Sequence, residues 1–254
     1  MATPKALVVK GPGTNCDGEV IFACERAGFS VETVLLGQAL EQPTILRKYQ
    51  MFVIPGGFTY GDDLGAGTVF ANEIRIRLKD ELTAFIDRGN LIFGPCNGFQ
   101  ILVKSGLLPN PHLTDPTVTL AWNDSGKFED RWIRMKIVST KCKFLTQPGF
   151  IELPIAHGEG KFLPRDQNVL DVLKDQIVLK YVDAQGNEAG YPHNPNGSVA
   201  NIAGICDPTG NVLGLMPHPE RFYDITQHPE WTRRKDLVEP DGMIFFKNAF
   251  RAVS

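Results

Sequence analysis

Short apolar runs alternate with amphipathic stretches through the first hundred or so positions. "ALVVKG" (6–11) is a buried-strand pattern that ends at Gly-Pro-Gly. "CDGEVIFACERAGF" then places Val20, Ile21, Ala23, Cys24 and Ala27 at helical spacing, with Gly28 near its end. "SVETVLL" reads as the next strand, and "YQMFVIPGG" (49–57) as another that runs into glycines. The span 73–89 reads as one amphipathic helix closed by Gly89. "NLIFG" (90–94) is a strand and "NGFQILVKSG" (97–106) a helix. Strands and helices in alternation predict an α/β fold with a mostly parallel central sheet and helices on both faces.

The second half changes character. Positions 131–138, 149–158, 176–182 and 201–216 are strand-like with few helical stretches between them, so a β-rich portion is expected beside the α/β part. In the last of these, Asp-Pro-Thr-Gly separates two apolar runs, a hairpin signal. After Glu220 the chain turns polar and ends in "MIFFKNAFRAV", a short packed helix. No linker composition interrupts the chain. One domain over 1–254 is expected, with 222–254 as a C-terminal extension packed on it.

The chemistry concentrates at "NLIFGPCNGFQIL". A buried strand runs into Gly94-Pro95-Cys96-Asn97-Gly98 and a helix starts at once. This is a G-x-nucleophile-x-G elbow with cysteine in the serine position. The helix N-terminus favours a thiolate at Cys96, and the Asn97 N–H is placed to serve an oxyanion. Cys24 and Cys142 read as structural and Cys206 as core. Cys16, in "GTNCDG", is the rival thiol but has no elbow around it.

A cysteine nucleophile needs a base and an orienting group. The triplet His-Pro-Glu occurs twice, at 218–220 and 228–230. His218 follows "GNVLGLM", so it falls at the end of a buried strand. In an extended segment Glu220 would share its face. His228 lies among polar residues and reads as part of a surface turn. His157, in "IAHGEG", is a candidate to line the site, whereas His112 and His193 read as surface loops. "FVIPGGFTYGDDLGAGT" ends a strand in glycines without the Lys of a phosphate loop. Its Gly57 is a candidate second oxyanion donor.

Composition narrows the rest. The 254 residues carry a net charge of −3, so no basic field points to nucleic acid or an anionic membrane. Five scattered cysteines with no C-x-x-C argue against a disulfide framework and a zinc site, and no metal is expected. No apolar stretch approaches the roughly 18 residues of a membrane helix, and "MATPKALVVKGPGTNCD" is no signal peptide. A cytoplasmic location is expected.

Strand–PGG, G-x-C-x-G-x-Q and H-P-E together resemble the class I (triad) glutamine amidotransferases, whose fold is flavodoxin-like. Within them, "GTNCD", "PGGFTYGDDLGAG", "CNGFQIL", "PIAHGEG", "NPNGS" and "GNVLGLMPHPER", in order over residues 13–221, are similar to the glutaminase subunits of phosphoribosylformylglycinamidine synthases. The resemblance implies Cys96 as nucleophile, His218 as base and acid, and Glu220 as its orienting partner. It also implies Gly57 and Asn97 as oxyanion donors and Gln100 as a residue that helps hold glutamine. Glutamine hydrolysis would deliver ammonia to a synthetase subunit that converts formylglycinamide ribonucleotide to the amidine with Mg-ATP. A small accessory subunit would complete the assembly, and no cofactor would reside in this chain. Two positions depart from the pattern. Pro95 stands where an aliphatic residue is more usual, and the chain runs on past H-P-E-R, where small subunits often stop. Other readings stand beside this one: an amidotransferase subunit for another synthetase, a thiol or γ-glutamyl hydrolase of the same fold, or a non-catalytic glutamine-binding regulator.

Overall fold

A computed structural model describes residues 3–112 and 116–254. The strands are β1 (Lys5–Lys10), β2 (Ser30–Leu35), β3 (Met51–Val53), β4 (Leu91–Pro95), β5 (Val118–Trp122), β6 (Glu129–Ile137), β7 (Gly149–His157), β8 (Glu159–Pro164), β9 (Ile177–Tyr181), β10 (Ile202–Cys206) and β11 (Val212–Leu215). The helices are α1 (Asp17–Ala27), α2 (Leu36–Glu41), α3 (Thr68–Arg77), α4 (Lys79–Asp87), α5 (Asn97–Lys104), α6 (Gln167–Val172) and α7 (Gly242–Val253).

Nine strands form one sheet in the order β2-β1-β3-β4-β11-β10-β9-β6-β7. The run from β2 to β11 is parallel, and β10, β9, β6 and β7 continue it antiparallel. Seven of the nine strands therefore point the same way, all but β10 and β6. The β-rich half thus extends the α/β sheet. Among the described residues only β5 and β8 stand apart, as a two-stranded antiparallel ribbon. The hairpin expected around Asp-Pro-Thr-Gly is the β10–β11 pair.

Alternation along β1 explains the layers. Leu7 and Val9 face a core shared with Phe70, Ile74, Leu82 and Phe99, and Ala6 and Val8 face one shared with Val20, Cys24, Phe245 and Phe246. A strand buried on both faces reads as an unbroken apolar run. The terminal helix α7 is part of this core. Its Phe246 meets Phe93 of β4 edge-on, with centroids 5.5 Å apart.

The segment expected as one helix over 73–89 is two. α3 starts earlier, at Thr68, and Leu78 separates it from α4 with φ −129° and ψ −9°. Hydrogen bonding hides the break: Leu78 N–H donates to Ile74 O and Leu82 N–H to Leu78 O. Ile74, Leu78, Leu82, Phe85 and Ile86 are all buried, so the apolar periodicity runs through the bend unaltered. Pattern alone could not show it.

Candidate active site

β4 and β11 are parallel neighbours in register, with Pro95 opposite Leu215. Whatever follows each strand therefore emerges at the same sheet edge. Cys96 follows β4 and His218 follows β11 by three residues. The Cys96 N–H donates to Leu215 O at 2.8 Å, which ties the turn to the strand that delivers the histidine.

Cys96 has φ 51° and ψ −110°, a rare conformation for a residue with a Cβ. The turn depends on Gly98. A Cβ there would lie 2.0 Å from Ile54 O, a backbone atom that cannot swing aside. Gly98→Ala is expected to cost about 2–4 kcal/mol in urea denaturation and to slow alkylation of Cys96, because the elbow must move off β3. α5 then carries Phe99 and Gln100, whose N–H groups donate to Cys96 O. The Asn97 and Gly98 N–H groups precede that first helical bond and are free of intrahelical acceptors.

His218 and Glu220 are both buried, and Nδ1 of the histidine lies 2.6 Å from Oε1 of the glutamate. A carboxylate only accepts, so Nδ1 carries the proton. The pair does not form as two residues on one face of a strand. Residues 219–221 make a 3₁₀ turn, and that turn swings Glu220 back under the ring. Nε2 of His218 is buried without a hydrogen-bond partner among the described residues. Burial favours the neutral ring, but Glu220 and then the Cys96 thiol outweigh it and raise the His218 pKa well above the ordinary histidine value. Glu220→Gln removes the strongest opposing charge and leaves the burial. The imidazole titration, followed by ¹⁵N NMR, is then expected to fall to lower pH in the variant.

Cys16 is closer to this chemistry than its sequence context suggested. Its sulfur, a His218 ring nitrogen and a Glu220 oxygen all lie within 4.8 Å of one another. Arg221 Nη2 donates to Cys16 Sγ at 3.1 Å, and Glu220 already holds the histidine, so all three members of this potential metal-ligand set are engaged. Gly56 makes room for the arrangement, since a Cβ on it would sit 3.0 Å from His218 Cε1, 3.3 Å from Cys16 Sγ and 3.4 Å from Cys96 Cβ. Only the tertiary structure shows Cys16 and Arg221 here. The sole sequence signal was a cysteine after the first glycine-rich strand end.

A cavity of about 290 Å³ opens beside Cys96 and is lined by Gly57, Gln100, His157 and Glu159 among others. Cys16 is not among its lining residues. Gly57 pairs with Thr14 in a bridge whose hydrogen bonds use Gly56 O and Phe58 N–H. Its own N–H therefore points away from that segment. Gln100 donates to Glu159 O at 2.6 Å and accepts from Asn97, whose Oδ1 accepts from the Thr59 hydroxyl. A cleft of about 350 Å³ elsewhere is lined by Arg131, Glu152 and His193 but by no cysteine.

The second triplet is not the surface turn its polar neighbours suggested. His228 is buried, and its ring packs on Trp132 with centroids 4.7 Å apart. Its Nε2 lies 3.3 Å from Glu152, which also binds Arg134 and Arg234. Trp132 of β6, far away in sequence, covers it together with Phe222. His112 is exposed and pairs with Asp87, and His193 is exposed as expected. Cys24 and Cys142 are fully buried, and burial raises both thiols. Cys206 is buried in β10.

An open α/β sheet with a cysteine elbow and a buried His–Glu pair at one edge is the architecture of a glutamine amidotransferase. The sequence profile of the CobB/CobQ-like glutamine amidotransferase domain matches residues 3–252. More narrowly, the chain belongs to the family of PurQ subunits of phosphoribosylformylglycinamidine synthase. It is 44% identical to that subunit from Dehalococcoides mccartyi, over 99% of this chain and 98% of the relative. It is 41% identical to the one from Picrophilus torridus, over 97% and 98%. The structure of PurLQS from Thermotoga maritima contains a chain that superposes with a TM-score of 0.75 at 33% identity, over all of both chains. Matches of this extent include residues 222–254, so the stretch after H-P-E-R lies within the length shared with these relatives. No helix among the described residues is long and apolar enough to cross a membrane.

Proposed function

We propose that this chain is the glutaminase subunit of a phosphoribosylformylglycinamidine synthase. The observation that carries the reading is the convergence of Cys96, in its elbow, with the buried His218–Glu220 pair at the ends of two adjacent parallel strands. The family and relatives above supply the substrate.

The Cys96 thiolate attacks the γ-carboxamide carbon of glutamine. The oxyanion is met by the N–H groups of Gly57 and Asn97, a kind of contact worth roughly 3–4 kcal/mol in other enzymes. His218, held protonated by Glu220, gives its proton to the leaving nitrogen, and ammonia departs. The same ring then takes a proton from water as it cleaves the γ-glutamyl thioester, releasing glutamate and restoring the thiolate beside a protonated His218. Gln100 in the cavity wall donates to Glu159 O, accepts from Asn97 behind it, and helps hold glutamine.

Ammonia passes to a separate synthetase subunit, which activates the formylglycinamide ribonucleotide amide with Mg-ATP. A small accessory subunit completes the complex. An apolar rim supports docking around the cavity: Phe58, Trp122 and Phe128 are 46%, 69% and 52% exposed. Such a patch is costly in water unless covered. The reactions take place in the cytoplasm.

Labelling with an electrophilic glutamine analogue, read by peptide mass spectrometry, tests the proposal. Modification of Cys96 alone, blocked by free glutamine, is expected in the assembled complex. Modification at Cys16, or labelling that glutamine does not block, would overturn it.

A further inference from the structure

The cavity beside Cys96 has a one-sided chemistry. Among the described residues that line it the charged side chains are Asp62 and Glu159, with no lysine or arginine. Glu159 is nearly buried, at 11% side-chain exposure, and its carboxylate accepts only weakly from Ala66 N–H at 3.3 and 3.4 Å. Lys104 lies 3.9 Å from it, but that ammonium is already donating to Ala66 O and Thr68 Oγ1. Asp62 accepts from Gly67 N–H at 3.2 Å and Asn97 Nδ2 at 3.4 Å. Burial raises the Asp62 pKa, and repulsion from Glu159 adds to it, which places the two carboxylates within each other's field.

His157, another polar group on the wall, is 2% exposed. Asn123 fixes its tautomer. The Asn123 amide nitrogen donates to His157 O and Lys127 O, so its oxygen faces the ring and accepts from Nδ1–H at 3.1 Å. Nε2 is thus a bare acceptor, and it is buried without a partner among the described residues. Burial, reinforced by His218, drives the His157 pKa down to about 3, so the ring stays neutral.

Two carboxylates and one orphaned acceptor, with no cation on the wall, complement a group that is positive and rich in donors. We propose that Asp62 and Glu159 receive the α-ammonium of the bound amino acid and so restrict the site to substrates with a free α-amino group. This rests on the glutaminase reading above. Lys104 holds the 62–67 loop so that both carboxylates stay at the cavity, and the substrate ammonium supplies the missing positive charge between them.

The test compares glutamine with its desamino analogue, glutaric acid monoamide, in the assembled synthase. The wild type is expected to favour glutamine in kcat/KM by about 100-fold or more. Glu159→Gln is expected to shrink that preference at least about tenfold, mainly through KM for glutamine, with the rate on the desamino analogue nearly unchanged. Asp62→Asn removes the second charge independently and should do the same. Iodoacetamide labelling of Cys96 at the wild-type rate confirms in each variant that the elbow is intact. An undiminished preference in a variant that labels normally and still turns over glutamine overturns the inference while leaving the glutaminase reading in place. Failure of the wild type to hydrolyse glutamine would instead overturn that parent reading.

Discussion

Replacing Cys96 by alanine is expected to abolish glutamine-dependent synthesis in the assembled enzyme, by at least about 10⁴-fold, while synthesis from added ammonium salt persists. The reasoning runs from the chain upward. β4 is buried on both faces, Gly98 lets α5 start against Ile54, and Cys96 is the one residue the turn presents at both the sheet edge and the cavity. Cys16 cannot substitute for it. That residue stands at the N-cap of α1, its sulfur accepts from the Arg221 guanidinium, and the cavity lining does not include it. The measurement is steady-state product formation with either nitrogen donor. Retained glutamine-dependent turnover would move the nucleophile elsewhere. Loss of the ammonium-dependent reaction as well would mean that Cys96 matters for assembly.

The second large effect separates the two His-Pro-Glu triplets. His218→Ala is expected to lower glutamine hydrolysis by roughly 10³-fold or more, because it removes both the leaving-group acid and the base for thioester hydrolysis. His228→Ala is expected to keep most of the hydrolysis, yet to lower stability by about 2–3 kcal/mol. That cost follows from its burial. The ring packs on Trp132 and Phe222, and its Nε2 meets the Glu152 carboxylate, which Arg134 and Arg234 also share. Hydrolysis measured well below each protein's melting range, together with urea denaturation, distinguishes the two effects. Equal catalytic loss in both variants would show that the strand-end position of His218 confers nothing.

These two histidines also show where sequence reading stops. Identical triplets have identical local chemistry. The apolar run ahead of His218 marked a strand end, and that was enough to place it at an edge. The polar run around His228 suggested a surface, but burial there is decided by Trp132 on a strand about 96 positions upstream. The position of Cys16 shows the same limit. Its neighbours in the chain form no elbow, yet β1 and β3 are adjacent in the sheet, so their following turns bring Cys16 and Gly56 together beside His218.

By itself the sequence determined the alternation of strands and helices, the elbow at Cys96, the hairpin before His218 and the triplet that completes the constellation. Each of these is written in local periodicity, in glycine and proline positions, or in adjacent side chains. The tertiary structure alone decided the rest. It set the bend at Leu78, the 3₁₀ turn that brings Glu220 to His218, the continuation of one sheet through β10, β9, β6 and β7, and the acidic cavity wall shared by Asp62 and Glu159. Those features arise from contacts between segments far apart in the chain. Their energies come from packing and desolvation between partners that no local pattern names.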